Sequence, residues 1–386
     1  MVIHLITRLA LGGAQQQVIQ ITSSLIKNNK ETAIITGLSD SKSLSAKDNK
    51  LLELGLEKKI KIEVIKELSD KISPFKDIVS IFKIIRLLIK YKPNILHIHS
   101  SKTGVLGRLL KVFFRNIKII YHVHGWSFSR SNGIKAKLIF YLEKFLYQLT
   151  DKYIFVCFQD MIDFVKMGGN KNIENKSEVI YPGTEFLNKS KINKYKIQLR
   201  QKLGLDEDDL LIGTVGRVDF QKNPEKFLEI AKNYVSINKR AKFLWIGKGS
   251  LRKKIIDSIK DMGLDKHIIF TGFVEDVEPY FSIFDIFVLT SRYEGLPITI
   301  VKALSLETPV VSYKINGVND LDKKYKSVFG ATPFKTKSFV NKLKECELYT
   351  KKNIHQIKKE SISIRNNFSN QEMLNKINDL YSKLIK

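Results

Sequence analysis

A chain of 386 residues, 43% hydrophobic and with only eight prolines, is long enough for two globular domains of ordinary size. Its two cysteines, Cys157 and Cys346, stand far apart without metal spacing, which excludes a disulfide framework and points to a reducing compartment. The formal net charge of +27 favours anionic partners, yet the charge is diffuse and no Arg-rich or aromatic recognition module accompanies it, which argues against nucleic acid.

The first half alternates short apolar runs with helical periodicity. Strands are expected at 2–7, 32–36, 62–65, 95–99, 118–122, 153–156 and 178–181, and helices at 14–27, 44–55, 75–91, 102–114, 134–149 and 159–167. The opening MVIHLITRLALGG has no charged region ahead of an apolar core, so it reads as a first strand rather than a signal peptide. No apolar run approaches about 18 residues without a charge, so no membrane span is expected. Pro182-Gly183 and the lysine-rich stretch 187–209 break the pattern and mark the domain boundary, giving 1–186 and 187–369. Alternation then restarts, with strands at 210–216, 242–246, 268–271, 286–289 and 309–312 and helices at 223–237, 250–262, 276–283, 297–306 and 337–349. Both halves therefore read as doubly wound parallel sheets, two Rossmann-like domains in tandem. A last amphipathic helix, 370–386, carries Met373, Leu374, Ile377, Leu380, Tyr381 and Leu384 on one side.

Residues 71–150 hold 15 Lys or Arg against two acids, Asp77 and Glu143. Bases there interleave with large apolar residues at helical spacing. Such helices suit an anionic lipid surface or an acidic acceptor; alternatively they are core helices with solvated basic faces.

Chemistry concentrates at strand ends. The stretch VLTSRYEGLPITIVKALSLETPVV reads as a βαβ unit with Glu294 and Gly295 at the carboxyl end of its first strand, where open α/β sheets bind ligands. Pro297 in the first helical turn costs no hydrogen bond. The free N–H groups of Gly295, Leu296 and the residues after Pro297 suit an anion. Glu294 could accept from sugar hydroxyls or simply cap the helix. In IGTVGRVDFQKNPEKF, Arg217 and Lys222 flank a strand end and precede a helix capped by Asn223, with Pro224 at N1; both cations suit one diphosphate. Gly12 and Gly13 lie between the first strand and helix, where two glycines let backbone approach a ligand or merely form a tight turn. Gly247 and Gly249 end a strand before Ser250, a candidate cap. His97, His99, His122 and His124 fall at two strand ends, each pair on one face. No carboxylate or cysteine stands at ligand spacing, so no metal site is expected, and His97 and His122 read as buried, satisfied histidines. His99 to Thr103 form a polar turn able to meet an acceptor, a phosphate or the following helix.

These motifs resemble the family-4, group 1, retaining glycosyltransferases of the GT-B fold. Glu294, Gly295, Leu296 and Pro297 match the family's donor-site motif, but its second glutamate, eight residues on, is replaced by Lys302. The GR-x₄-K arrangement is present at Arg217 and Lys222, and Gly12 and Gly13 resemble the family's GGA loop facing the donor diphosphate. The resemblance implies two domains facing across a cleft, a first that binds acceptor and a second that binds a nucleotide-sugar donor, with the terminal helix crossing back to the first. It assigns Glu294 and His124 to the donor sugar, position 302 to the ribose, Gly247 to shaping the nucleotide pocket, and Phe273 and Val274 to the base. It implies a retaining, metal-independent hexosyltransferase without a cofactor, since the nucleotide sugar is a substrate; no DxD-like pair stands in a suitable loop. The expected setting is cytoplasmic, peripheral on the inner face of the cell membrane, with a UDP-sugar donor and a lipid-linked or polysaccharide acceptor of bacterial surface glycan. Alternatives are a GT-B nucleotide-sugar epimerase and a non-catalytic sugar-nucleotide-binding partner subunit, the latter because Lys302 cannot accept from two hydroxyls.

Overall fold

A computed structural model describes residues 1–9, 12–38, 54–55, 57–131, 133–186 and 189–385. The expected helix at 44–55 lies, but for its last two residues, outside the described residues. The chain forms two compact units, Met1–Gly183 with Asn370–Lys386, and Thr184–Ser369.

The first unit is built on β1 (Val2–Arg8), β2 (Thr32–Gly37), β3 (Ile62–Ile65), β4 (Ile95–Ile98), β5 (Lys118–Val123), β6 (Lys152–Phe155) and β7 (Ser177–Val179), all parallel in the order β3-β2-β1-β4-β5-β6-β7. Nearly continuous apolar runs make this sheet stable only with both faces covered. One face carries Ile3, Leu5, Leu96, Ile98, Tyr121, Tyr153 and Phe155, packed on Ile84, Leu88, Trp126, Phe140 and Phe164. The other carries Val2, Ile95, Ile120 and Ile154, packed on Ile21 and Leu25 and on Met373, Ile377, Leu380 and Tyr381 of the last helix, Asn370–Ile385.

The second unit repeats the plan with β8 (Leu210–Val215), β9 (Ala241–Ile246), β10 (Ile268–Gly272), β11 (Ile286–Leu289), β12 (Val310–Tyr313) and β13 (Val328–Ala331), in the order β10-β9-β8-β11-β12-β13. Strand order reverses at β1 and β4 in the first unit and at β8 and β11 in the second. Loops leaving the two strands at such a point diverge to opposite faces and leave a crevice at the carboxyl edge.

Several local expectations are corrected. The stretch 187–209 is not a plain break: it contains the helix Lys189–Lys202, because Lys, Gln, Leu and Arg are good helix formers even without a strong apolar stripe. Pro297 is the N-cap of the helix Ile298–Ser305 with an extended backbone, not its first-turn residue. Ser250 caps nothing, since the helix Arg252–Asp261 begins two residues later with Leu251 at its N-cap. Asn223 does hold the cap position of Pro224–Val235, but it is left-handed, with φ 55°, and makes no side-chain cap bond. Strand β13 and the helices Asn316–Lys324 and Ile354–Asn367 were not expected; they are short or strongly charged.

Candidate functional site

At the second unit's switch point, the loop after β8 and the loop after β11 are fastened together. The Arg292 amide donates to Gln221 O at 2.8 Å, and the Thr290 hydroxyl donates to Lys222 O at 2.9 Å. Arg292 also lies over the Phe220 ring, 4.3 Å from its centroid. Two short loops that would be mobile alone thus form one platform.

On that platform Lys222 Nζ donates to Glu294 Oε1 at 2.5 Å, with 16% and 11% of the side chains exposed. Ser291 Oγ donates to the same oxygen at 2.7 Å, and Gln221 Nε2 to Oε2 at 3.3 Å. Gln221 Oε1 in turn accepts from Arg217 Nη2 at 3.3 Å. Arg217 is 69% exposed at its side chain and pairs with Asp219 at 3.1 Å. The two cations expected to converge therefore meet through Gln221, each already holding an acid. An ammonium has three donors, so Lys222 can hold Glu294 and still offer a proton to a phosphate oxygen.

Glycines explain the close fit. A Cβ at Gly216 would meet Lys222 Cε at 3.1 Å, so the lysine stem lies across the end of β8. Gly247 has φ 149°, and a Cβ there would meet Gly216 O at 2.0 Å, which gives Gly247 a packing role. Gly317 donates its amide to Gly295 O at 3.0 Å, and a Cβ there would lie 2.1 Å from that oxygen. Gly317 thereby fixes the backbone of Glu294–Leu296 just before the helix Ile298–Ser305, whose Ile300 amide turns back to Pro297 O at 3.0 Å.

Lys302 sits in that helix and pairs with Glu278, the first residue of the helix Glu278–Phe281. A carboxylate from another element thus stands beside position 302. Phe273 is 47% exposed, with Lys248 Nζ 5.6 Å from its ring centroid, and Val274 is partly buried beside it. Gln221, Ser291, Glu278 and Gly317 escaped the sequence reading. Only the Glu294 loop hinted at Ser291, three residues upstream.

Gly12, Gly13 and His124 belong to the first unit. Gly12 is the N-cap of the helix Gly13–Lys27, and a Cβ there would strike the Gln15 side chain at 2.5 Å, whereas Gly13 has open space. His124 is partly exposed just past β5. His97 and His122 are buried as expected, but they are not satisfied. His97 Nδ1 meets Tyr381 Oη at 2.5 Å while its Nε2 has no partner, and neither nitrogen of His122 has one.

Comparison with known proteins agrees with this architecture. Residues 11–185 match the model of Glycosyltransferase Family 4, and residues 196–362 match that of Glycosyl transferases group 1. The Escherichia coli UDP-Gal:alpha-D-GlcNAc-diphosphoundecaprenol alpha-1,3-galactosyltransferase is 30% identical over 336 residues, 86% of each chain. The Staphylococcus aureus capsular polysaccharide biosynthesis glycosyltransferase CapM is 24% identical, over 77% of this chain and 75% of its own. Among solved structures, Anabaena HepE in complex with UDP superposes with a TM-score of 0.79 at 19% identity, covering 99% of both chains. The chain belongs to the group 1 glycosyltransferases of the GT-B fold and is a glycosyltransferase.

Proposed function

We propose that the protein moves a sugar from a nucleotide-diphosphate donor, a UDP-sugar, to a lipid-linked or polysaccharide acceptor in bacterial surface glycan synthesis, with retention of anomeric configuration. The observation that carries this reading is the Lys222–Glu294 pair on the joined loops at the switch point. The E. coli relative, which by its name takes UDP-galactose to a diphosphoundecaprenol-linked sugar, supports it.

In this reading the diphosphate lies against Lys222, Arg217 and the amides at the start of Ile298–Ser305. Fixed positive charge stabilises the negative charge that grows as the anomeric C–O bond breaks. The acceptor hydroxyl attacks on the face the diphosphate leaves, and the departing phosphate oxygen takes its proton. The positive charge for this step comes from side chains and amides, with no bound metal invoked. Glu294 orients the sugar hydroxyls. Glu278, held by Lys302, is the acceptor for ribose hydroxyls. Phe273 and Val274 meet the base.

Two helices of the first unit support a peripheral place on an anionic membrane. No helix among the described residues is long and apolar enough to cross one. In Pro74–Tyr91 the buried residues are Ser80, Ile84 and Leu88, while Phe75, Ile78, Phe82 and Ile89 are exposed. At 100° per residue the exposed set clusters about 150° from the buried set. Gly133–Leu146 repeats this, with Phe140, Glu143 and Leu146 buried and Ile134, Leu138, Tyr141, Leu142 and Phe145 exposed. Lys76, Lys83, Arg86, Lys90, Lys135, Lys137 and Lys144 are exposed on the same helices. Apolar stripes opposite the core, flanked by bases, suit insertion among anionic headgroups.

The test is UDP release from candidate UDP-sugars with and without a polyprenyl-diphosphate-linked sugar. Acceptor-dependent release supports transfer. Release without acceptor would mean epimerisation or hydrolysis, and binding without release would mean a non-catalytic partner. Arg217→Ala should lower turnover by more than about 100-fold; near wild-type turnover removes that cation from the mechanism.

A further inference from the structure

Gln221 stands between the cation and the carboxylate of the donor platform and touches both. Its side-chain Nε2 donates to Tyr293 O at 3.1 Å and to Glu294 Oε2 at 3.3 Å. Its Oε1 accepts from Arg217 Nη2 at 3.3 Å. These partners fix which way the amide faces. Flipped, it would set its oxygen against two acceptors and its NH₂ against a guanidinium, which has only donors. The side-chain contacts are not needed to fasten the two loops, because the Arg292 amide on Gln221 O and the Thr290 hydroxyl on Lys222 O already join them.

The acceptor positions of Glu294 show what the amide does. A carboxylate offers about four of them. Oε1 takes Lys222 Nζ at 2.5 Å and Ser291 Oγ at 2.7 Å, which fills it. Oε2 takes Gln221 alone among the described residues, so it keeps an open position where a sugar hydroxyl can donate. Lys222 cannot hold the carboxylate unshared once a donor is bound, since a diphosphate competes for the same ammonium. Gln221 is neutral and both hydrogens of its amide are engaged, so a diphosphate does not draw it away.

We propose that Gln221 is a positioning residue for the donor sugar: it turns Glu294 so that the open side of Oε2 meets the sugar, and Arg217 holds the amide in the orientation this needs. The inference rests on the reading of Glu294 as the contact to the sugar. Its consequence is preorganisation. A carboxylate already fixed gives its full hydrogen bond to the sugar, whereas a loose one must first be ordered. Gln221 therefore acts on the sugar part of the donor and not on the nucleotide part.

The test is calorimetric titration of the full chain with UDP, UDP-galactose and UDP-glucose, each sugar nucleotide read as its affinity relative to UDP. In Gln221→Met, similar in length and volume, the relative affinity of the sugar nucleotide that the wild type binds more tightly should fall at least about fivefold, with UDP itself within about twofold. Glu294→Gln should lower the relative affinity likewise, and adding Gln221→Met to it should cost less than about twofold more, since no carboxylate is left to aim. Gln221→Asn, which keeps the amide but withdraws it from Glu294, gives the same comparison if the methionine variant does not fold. Equal losses for UDP and the sugar nucleotide in Gln221→Met would mean that the residue only fastens the loops, and would overturn the proposal. Unchanged relative affinity in Gln221→Met beside a loss in Glu294→Gln overturns the proposal alone. No loss in Glu294→Gln removes the reading of Glu294 and the proposal with it.

Discussion

Removing Lys222 should damage the second unit and its chemistry by separable amounts. Its ammonium and the Glu294 carboxylate are mostly shielded, at 16% and 11% exposure and 2.5 Å apart. In Lys222→Met the carboxylate keeps only Ser291 Oγ at 2.7 Å and Gln221 Nε2 at 3.3 Å from its present ring of donors. A hydrogen bond between charged groups contributes about 1.5–3 kcal/mol net. Breaking a fully buried pair costs about 3–5 kcal/mol, because one charge is stranded. Partial exposure here places the coupling near the lower range, at about 2 kcal/mol. Urea unfolding of the wild type, Lys222→Met, Glu294→Gln and the double variant measures it as a cycle. Turnover should fall about 100- to 1,000-fold in Lys222→Met, since a leaving-group cation acts mainly in the transition state. A coupling under about 1 kcal/mol, the range of exposed pairs, would refute the shielded-pair argument. Turnover within about threefold of wild type would refute the role in departure of the diphosphate.

Gly317→Ala would place a methyl 2.1 Å from Gly295 O and 2.7 Å from Leu296 Cα, so the Glu294 loop must move. The expected cost is about 1–3 kcal/mol by thermal melting, with kcat/KM down about 100-fold; unchanged kinetics would mean the loop adapts freely. Arg108 and Glu143 form a pair 2.7 Å apart with 0% and 4% exposure, and the guanidinium lies 4.1 Å from the Tyr121 ring centroid. Arg108→Leu should cost about 3–5 kcal/mol in urea unfolding, and Arg108→Leu with Glu143→Met should recover most of it. Glu278→Gln should raise KM for the donor with little change in kcat, because it weakens a contact made equally before and during reaction; a loss in kcat alone would count against the ribose role. Phe75→Ser with Phe82→Ser should cut flotation with anionic liposomes while leaving UDP binding intact, and equal flotation with neutral vesicles would remove the electrostatic part.

Periodicity alone made the two parallel sheets legible. Alternating runs such as IIYHVHGWSF and VLTSRYEGLP state both a strand and the loop at its carboxyl end, because burial on two faces demands continuous apolar residues. Spacing likewise singled out Lys222 and Glu294, each beside a helix start. What the spacing could not state is that these two residues, 72 apart, share a hydrogen bond, with Gln221 linking them to Arg217. That follows from β8 and β11 being neighbours, and strand order is a property of the packed sheet. The replacement at Lys302 reads as a loss until Glu278 is found beside it. The histidines show the same limit. Sequence placed His97 and His99 on one strand face, but only the pairing of β1 with β4 sets His4 against them, and only the docking of the last helix brings in Tyr381 from 284 residues away. Local composition determines which segments fold and what chemistry they carry; which carriers meet is decided by long-range packing, where each contact is made by residues with no common sequence signal.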